Sequence, residues 1–223
     1  YKRQVGMDES AKDSVQAYFN DPSGYMKQAT SGNGVLPSGT SLFNTEASFA
    51  ELARIRRTRE REQFEAIRDR LSASLRADEA LQGLGEQVSI VVTDEGLRIQ
   101  LEESDEGSNF FASGSANLTR AASALLAQIG PEISQVENRV IVEGHTDAAP
   151  LSRSGYSNWE LSGDRANAAR RALERAGLSP DRVLEVRGYA DRQLSDPARP
   201  FAANNRRITL LLPYTTGIVD TGA

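Results

Sequence analysis

The sequence predicts an α/β sandwich over about residues 85–214, one sheet packed against helices, preceded by a long helix and a flexible N-terminal linker. Three observations predict it. Segments with apolar residues at period two recur through this stretch, beginning with "VSIVVTDEGLRIQLEE". Segments with the helical period lie between them, and strands alternating with helices around one sheet give a layered core. Ahead of the first strand, residues 44–76 carry the helical period alone.

Each element has its own signal. "DESAKDSVQAYF" places Val15, Tyr18 and Phe19 at i, i+3 and i+4, a short amphipathic helix within residues 1–20 that stops at "NDPSG". Residues 21–43 are rich in Gly, Ser, Pro, Thr and Asn and read as a linker. A helix over 44–76, in a segment 44–84 leading into the core, sets Phe64, Ile67, Leu71 and Leu75 on one stripe. Between Glu51 and Arg76 there are eight arginines against five acids, mostly off that stripe, so the charges form either a solvated face or a surface for a partner or second copy.

A hairpin follows, turning at Asp94-Glu95-Gly96. The loop "SDEGSNFFASGS" leads to a helix from about Asn117 to Ile129, which Gly130-Pro131 is expected to stop. The third strand is "RVIVEGH", a helix runs from Asn158 to Ala176 and ends at Gly177, and "RVLEVRGY" and "RRITLLLP" complete the sheet. Residues 215–223 read as a tail.

Composition narrows the function. The 26 basic and 31 acidic residues leave a net charge of -5, which argues against nucleic acid or an anionic membrane as partner. No cysteine occurs, so disulfides, thiolate metal sites and cysteine nucleophiles are excluded. No apolar run approaches the roughly 18 residues that span a bilayer. The chain opens at Tyr1, and a membrane helix ahead of it is compatible with that start.

The residues that could carry chemistry surround "IVEGHTDAAP". His145 is the single histidine, so a zinc site lacks ligands, and no G-x-S-x-G elbow accompanies it for a hydrolase. Glu143 and Asp147, at i, i+4 of a strand, are the remaining acid pair, a weak basis for an enzyme. Ser157 and Glu160 form a capping box, with Tyr156 and Leu161 placed as a hydrophobic staple. Counting on from Leu161 puts Arg165 on a stripe with Ala168, Ala169 and Ala172. A guanidinium there needs an acceptor. Asp147 is the candidate, either as a structural ion pair or as the second charge of a site for a zwitterion.

"GHTD", "GYSNWELSGDRANAARR" and "NNRRITLLL" together resemble the OmpA-like peptidoglycan-binding domain, and within it the periplasmic region of MotB-type flagellar stator proteins. "GLRIQL" followed by "FFASGSANLT" is similar to the segment before that family's first helix, and "SVQAYFNDP" resembles its plug, giving coverage of about residues 60–213 besides the plug. The resemblance implies one mixed sheet packed against helices, no catalysis and no cofactor or metal. It implies a site for the diaminopimelate of the peptidoglycan stem peptide, with Asp147 of the T-D pair (Thr146-Asp147) taking the ammonium and Arg165 the carboxylate. Backbone amides at Phe111, Ala112 and Ser113 and at Leu161 and Ser162 would be secondary contacts, and Asn205 and Arg207 would support the rim. The stretch between "TD" and "LS" is longer than in shorter members of the family, and the lipidated N-terminal cysteine of its lipoprotein branch is missing.

The resemblance further implies a periplasmic region of a single-pass inner-membrane protein, a homodimer with a MotA-like channel subunit as partner and flagellar basal-body ring components nearby. The linker, extended, would reach roughly 65 Å. Val15, Tyr18 and Phe19 would restrain ion flow before assembly. The other expectation is an OmpA-like structural envelope protein, or a stator-like unit of a non-flagellar system.

Overall fold

The structure is a computed structural model that describes residues 45–78, 81–105, 110–112, 114–151 and 155–215, apart from the side chains of 45–49 and 82. The segment bearing Val15, Tyr18 and Phe19, the 21–43 linker and the tail after 215 lie outside the described residues. The chain divides into compact units at 1–48 and 49–223, and the fold below belongs to the second.

Helix α1 spans Thr45–Ala77, β1 Val88–Val92, β2 Gly96–Glu102, α2 Arg120–Ile133, β3 Val140–His145, α3 Asn158–Arg175, β4 Val183–Gly188 and β5 Arg207–Pro213. The strands form a mixed sheet in the order β1-β2-β5-β3-β4. All neighbours are antiparallel except β3 and β4, which α3 connects as a parallel crossover.

Strand alternation divides the sheet into two faces. Leu97, Ile99, Leu101, Val140, Val142, Ile208, Leu210 and Leu212 point into the core with Leu125, Leu126, Ile129, Ile133, Ala169 and Leu173 of α2 and α3. Helix α1 joins the same core. Its predicted stripe, Phe64, Ile67, Leu71 and Leu75, is at most 6% exposed, so the apolar face is used within the chain. Ser74 Oγ donates to Gln128 Oε1 of α2 at 2.9 Å, and Arg70 pairs with Glu132 at 2.7 Å. Glu60, buried at 7% exposure, accepts hydrogen bonds from Asn138 Nδ2 and Thr215 N, while Phe64 packs 5.3 Å from the Tyr214 ring. This clasp ties the start of the packed helix to the end of β5. Residues 50–59 of α1 remain exposed.

One boundary departs from expectation. Helix α2 starts at Arg120, with Thr119 as N-cap accepting from Ala122 N at 3.1 Å, and runs through Gly130-Pro131 to Ile133. A proline costs a helix one backbone hydrogen bond, and here that loss falls in the last turn, where it is least disruptive. Gly130 serves packing: a Cβ there would lie 2.6 Å from Ala176 Cβ, so its absence lets α2 approach the end of α3.

Candidate ligand-binding site

The site forms where β3 ends and α3 begins. Helix α3 lies so close to β3 that a Cβ on Gly144 would come within 2.0 Å of Ser162 O. Ser162 fixes this approach: its hydroxyl donates to Trp159 O at 3.0 Å and accepts from Ala190 N at 3.0 Å. The chain leaving β3 is pinned in turn, because Thr146 N donates to Ala190 O at 2.9 Å. The start of α3 has the predicted capping box, with Ser157 Oγ accepting from Trp159 N and Glu160 Oε2 from Ser157 N. Asn158, the first helical residue, donates through Nδ2 to Ala149 O at 2.9 Å and Asp147 O at 3.3 Å, so the helix start holds the loop that carries Asp147.

A cavity of about 250 Å³ opens there, lined by residues that include Glu103, Phe111, Thr146, Asp147, Arg165 and Arg206. Arg165 is 3% exposed. Its Nε donates to Ser115 O at 3.0 Å, and its guanidinium carbon lies 4.9 Å from the centre of the Phe111 ring. Among the described residues no carboxylate lies within 4 Å of it. Burial pushes its pKa down from the ordinary arginine value, opposed by the charge of Glu103 and more weakly by Asp147. Arginine does not give up its proton in proteins, so this is a desolvated cation with unused donors facing a cavity. Glu103 is held too: its Oε1 accepts from Phe111 N at 2.9 Å and Phe110 N at 3.3 Å, which fixes the loop whose ring covers Arg165. The Thr146 hydroxyl lines the cavity, buried and without a hydrogen-bond partner among the described residues.

The structure thus brings Asp147, Thr146 and Arg165 together, but Asp147 and Arg165 form no ion pair. Asp147 Oδ2 instead accepts from Arg206 Nη1 at 2.7 Å, and Oδ1 accepts from Ala149 N at 3.1 Å. Arg206 escapes the sequence reading, which chose its neighbours. Period two holds the signal: Arg206 shares parity with core-facing Ile208, so it points to the helix side where the cavity lies. Arg207 points to the other face, where its Nη2 donates to Gln193 O at 2.9 Å. Asn205 is fully buried and braces the 196–199 turn, accepting from Asp196 N and donating to Arg199 O, instead of standing at the rim.

Three of the expected amide contacts are already taken within the chain. Phe111 N serves Glu103, Ala112 N donates to Asn117 O, and Leu161 N donates to Ser157 O within the helix. Phe111 and Leu161 line the cavity, whereas Ser162 works between helix and sheet, and Ser113 lies outside the described residues. Glu103 and Asn158 are further members that sequence spacing did not single out.

The opposite sheet face holds the rest of the sequence candidates. Glu143 pairs with Arg187 at 3.1 Å. Because β3 ends at His145, Asp147 lies beyond the strand and Glu143 and Asp147 do not form an acid pair on one face. His145 is 1% exposed and stacks on Tyr189 at 5.1 Å. Burial, then the positive charges of Arg207 and Arg98, hold its pKa down to about 3. The ring is therefore neutral, and its 4.0 Å separation from Glu143 is no ion pair. It does not line the cavity.

Residues 110–207 match the model of the OmpA family. Motility protein B of Escherichia coli K12 is 37% identical over 160 residues, 71% of this chain and 52% of that protein. A relative named as a truncated flagellar export/assembly protein, LafU, from the same strain is 40% identical over 130 residues, covering 58% of this chain and 61% of its own length. The chain therefore spans only about half to three-fifths of these relatives. The crystal structure of a MotB-like protein from Desulfovibrio vulgaris superposes with a TM-score of 0.52 at 22% identity, covering 70% of this chain and 98% of that one.

Proposed function

From the premise that residues 110–207 belong to the OmpA family, we propose that the chain is a non-catalytic peptidoglycan anchor of a flagellar stator. Arg165 carries the reading. A guanidinium at 3% exposure with no carboxylate within 4 Å among the described residues is costly unless a ligand completes it. The ligand's carboxylate meets the Arg165 fork, and Asp147, 13% exposed at its side chain, takes the ammonium beside Arg206. Glu103, Asp147, Arg165 and Arg206 balance in charge, which suits a zwitterion such as the free end of diaminopimelate. Thr146 offers its hydroxyl for orientation.

Binding is the whole reaction in this reading. The names of the relatives, motility and flagellar export/assembly, favour a stator, with a MotA-like channel subunit and a second copy as partners and the periplasm as location. Among the described residues no helix is long and apolar enough to cross a membrane, so a membrane-embedded part of such a stator belongs to other residues. The segment with Val15, Tyr18 and Phe19 acts as the plug.

Sedimentation with purified peptidoglycan tests the anchor. The wild-type chain co-sediments, and Arg165→Ala and Asp147→Ala stay in the supernatant; equal sedimentation of all three would refute the site. Deleting residues 8–19 in the full-length protein raises ion leak when it is coexpressed with its channel partner, and an unchanged leak would reject the plug.

A further inference from the structure

Two large aromatic side chains stand in solvent on segments that adjoin the cavity in sequence. Trp159 is 51% exposed and Phe201 66%, while every other described aromatic is buried or half-buried. They come from different segments that grip the same loop. Asn158, next to Trp159, donates to Ala149 O, and Pro200, next to Phe201, accepts from Ala148 N at 2.9 Å. Each aromatic thus follows directly in sequence a residue that holds the turn carrying Asp147. Neither belongs to the core, and neither lines the cavity.

We propose that Trp159 and Phe201 form a saccharide subsite on the rim of the cavity. It rests on the anchor reading: the cavity holds the amino-acid end of the ligand, and the rim holds a sugar ring of the same polymer. A pyranose presents one face of C–H bonds, whose positive hydrogens meet the negative face of an aromatic ring, while its hydroxyl and acetamido edges stay in water. The surroundings suit this shape. Glu160, next in sequence to Trp159, and Arg199, two residues before Phe201, are exposed too, so the aromatics alternate with charges along the chain and do not extend an apolar run of the kind a protein helix would cover.

Trp159 is the chain's single tryptophan, so its emission reports this rim alone. Three ligands are titrated: a diaminopimelate-containing stem peptide, the N-acetylglucosamine–N-acetylmuramic acid disaccharide, and the disaccharide joined to the peptide. The joined ligand binds about 2- to 10-fold more tightly than the free peptide and shifts the Trp159 emission. By calorimetry, Trp159→Ala and Phe201→Ala reduce the joined ligand to the affinity of the free peptide and leave the free peptide unchanged. Trp159→Phe retains most of the difference. Equal wild-type affinity for the two peptides, or an equal loss of both in Trp159→Ala, would overturn the subsite. If wild-type protein fails to bind the free peptide, the cavity reading falls separately, and the disaccharide alone then decides: an unmoved Trp159 emission overturns the subsite.

Discussion

Two buried nitrogen bases, His145 at the last residue of β3 and Arg165 on α3, lie one on each side of the sheet, and they meet burial in opposite ways. His145 gives up its charge, held to a pKa of about 3, and settles against Tyr189. Arg165 cannot do so and remains a cation, with Ser115 O, the Phe111 ring and the nearby Glu103 charge as its surroundings. Burying a histidine makes a structural element with a pH limit, whereas burying an arginine beside a cavity leaves a charge with donors open to it. The difference teaches that the conspicuous residue of the sequence need not be the one that faces the cavity.

The largest test of this contrast is ligand affinity. Arg165→Ala is expected to weaken binding of a diaminopimelate peptide by about 100-fold or more, in the range for truncating one partner of a desolvated charge pair. His145→Phe, which keeps a ring for Tyr189, leaves that affinity within about 2-fold by calorimetry. Comparable losses in both variants would break the comparison.

The second test is stability against pH. A histidine neutral when folded opposes protonation, so its contribution is complete above the unfolded value near 6.5 and is lost as pH falls toward about 3. Between pH 6.5 and 5 the wild type should lose about 2 kcal/mol through this group, and His145→Phe should lack that part of the slope in urea titrations. Identical slopes would mean the ring is solvated.

Arg206→Gln probes the ion pair that the sequence did not disclose. It removes a charged hydrogen bond from Asp147 and is expected to cost about 1 kcal/mol of stability, reduced by the partial exposure of the arginine, and to weaken peptide binding about 10-fold. Unchanged affinity would show that Asp147 needs no partner to hold its position. The smallest effect belongs to the cap: Ser157→Ala loses about 0.5–2 kcal/mol in thermal melts while the cavity keeps its selectivity.

Much of this was legible in the residues because local rules suffice for it. The strands follow from period two, α3 from its capping box and apolar stripe, and Arg165 from its interruption of that stripe. Errors arose where a local signal has a distant cause. Gly130-Pro131 reads as a stop, but the glycine answers Ala176, which only the packed fold brings near. Arg206 and Arg207 are adjacent and chemically equal, and the direction of β5 alone separates pocket from opposite face. The amides at Phe111 and Leu161 could be judged free only before their acceptors, Glu103 and Ser157, were in place.

The clasp between α1 and the end of β5 gives the domain a mechanical order. Tension reaching the described fold along α1 first loads Arg57, which donates to Asp94 O at 2.6 Å and lies 4.8 Å from the centre of the Tyr214 ring, and then Glu60 with its bonds to Asn138 and Thr215. Only when these part does it reach Phe64, and then Ile67, Leu71 and Leu75 in turn. Asp147 and Arg165 belong to β3's exit and α3, outside that sequence of failures. The clasp is a fuse: an overload strips the leading helix while the cavity around Arg165 is still intact.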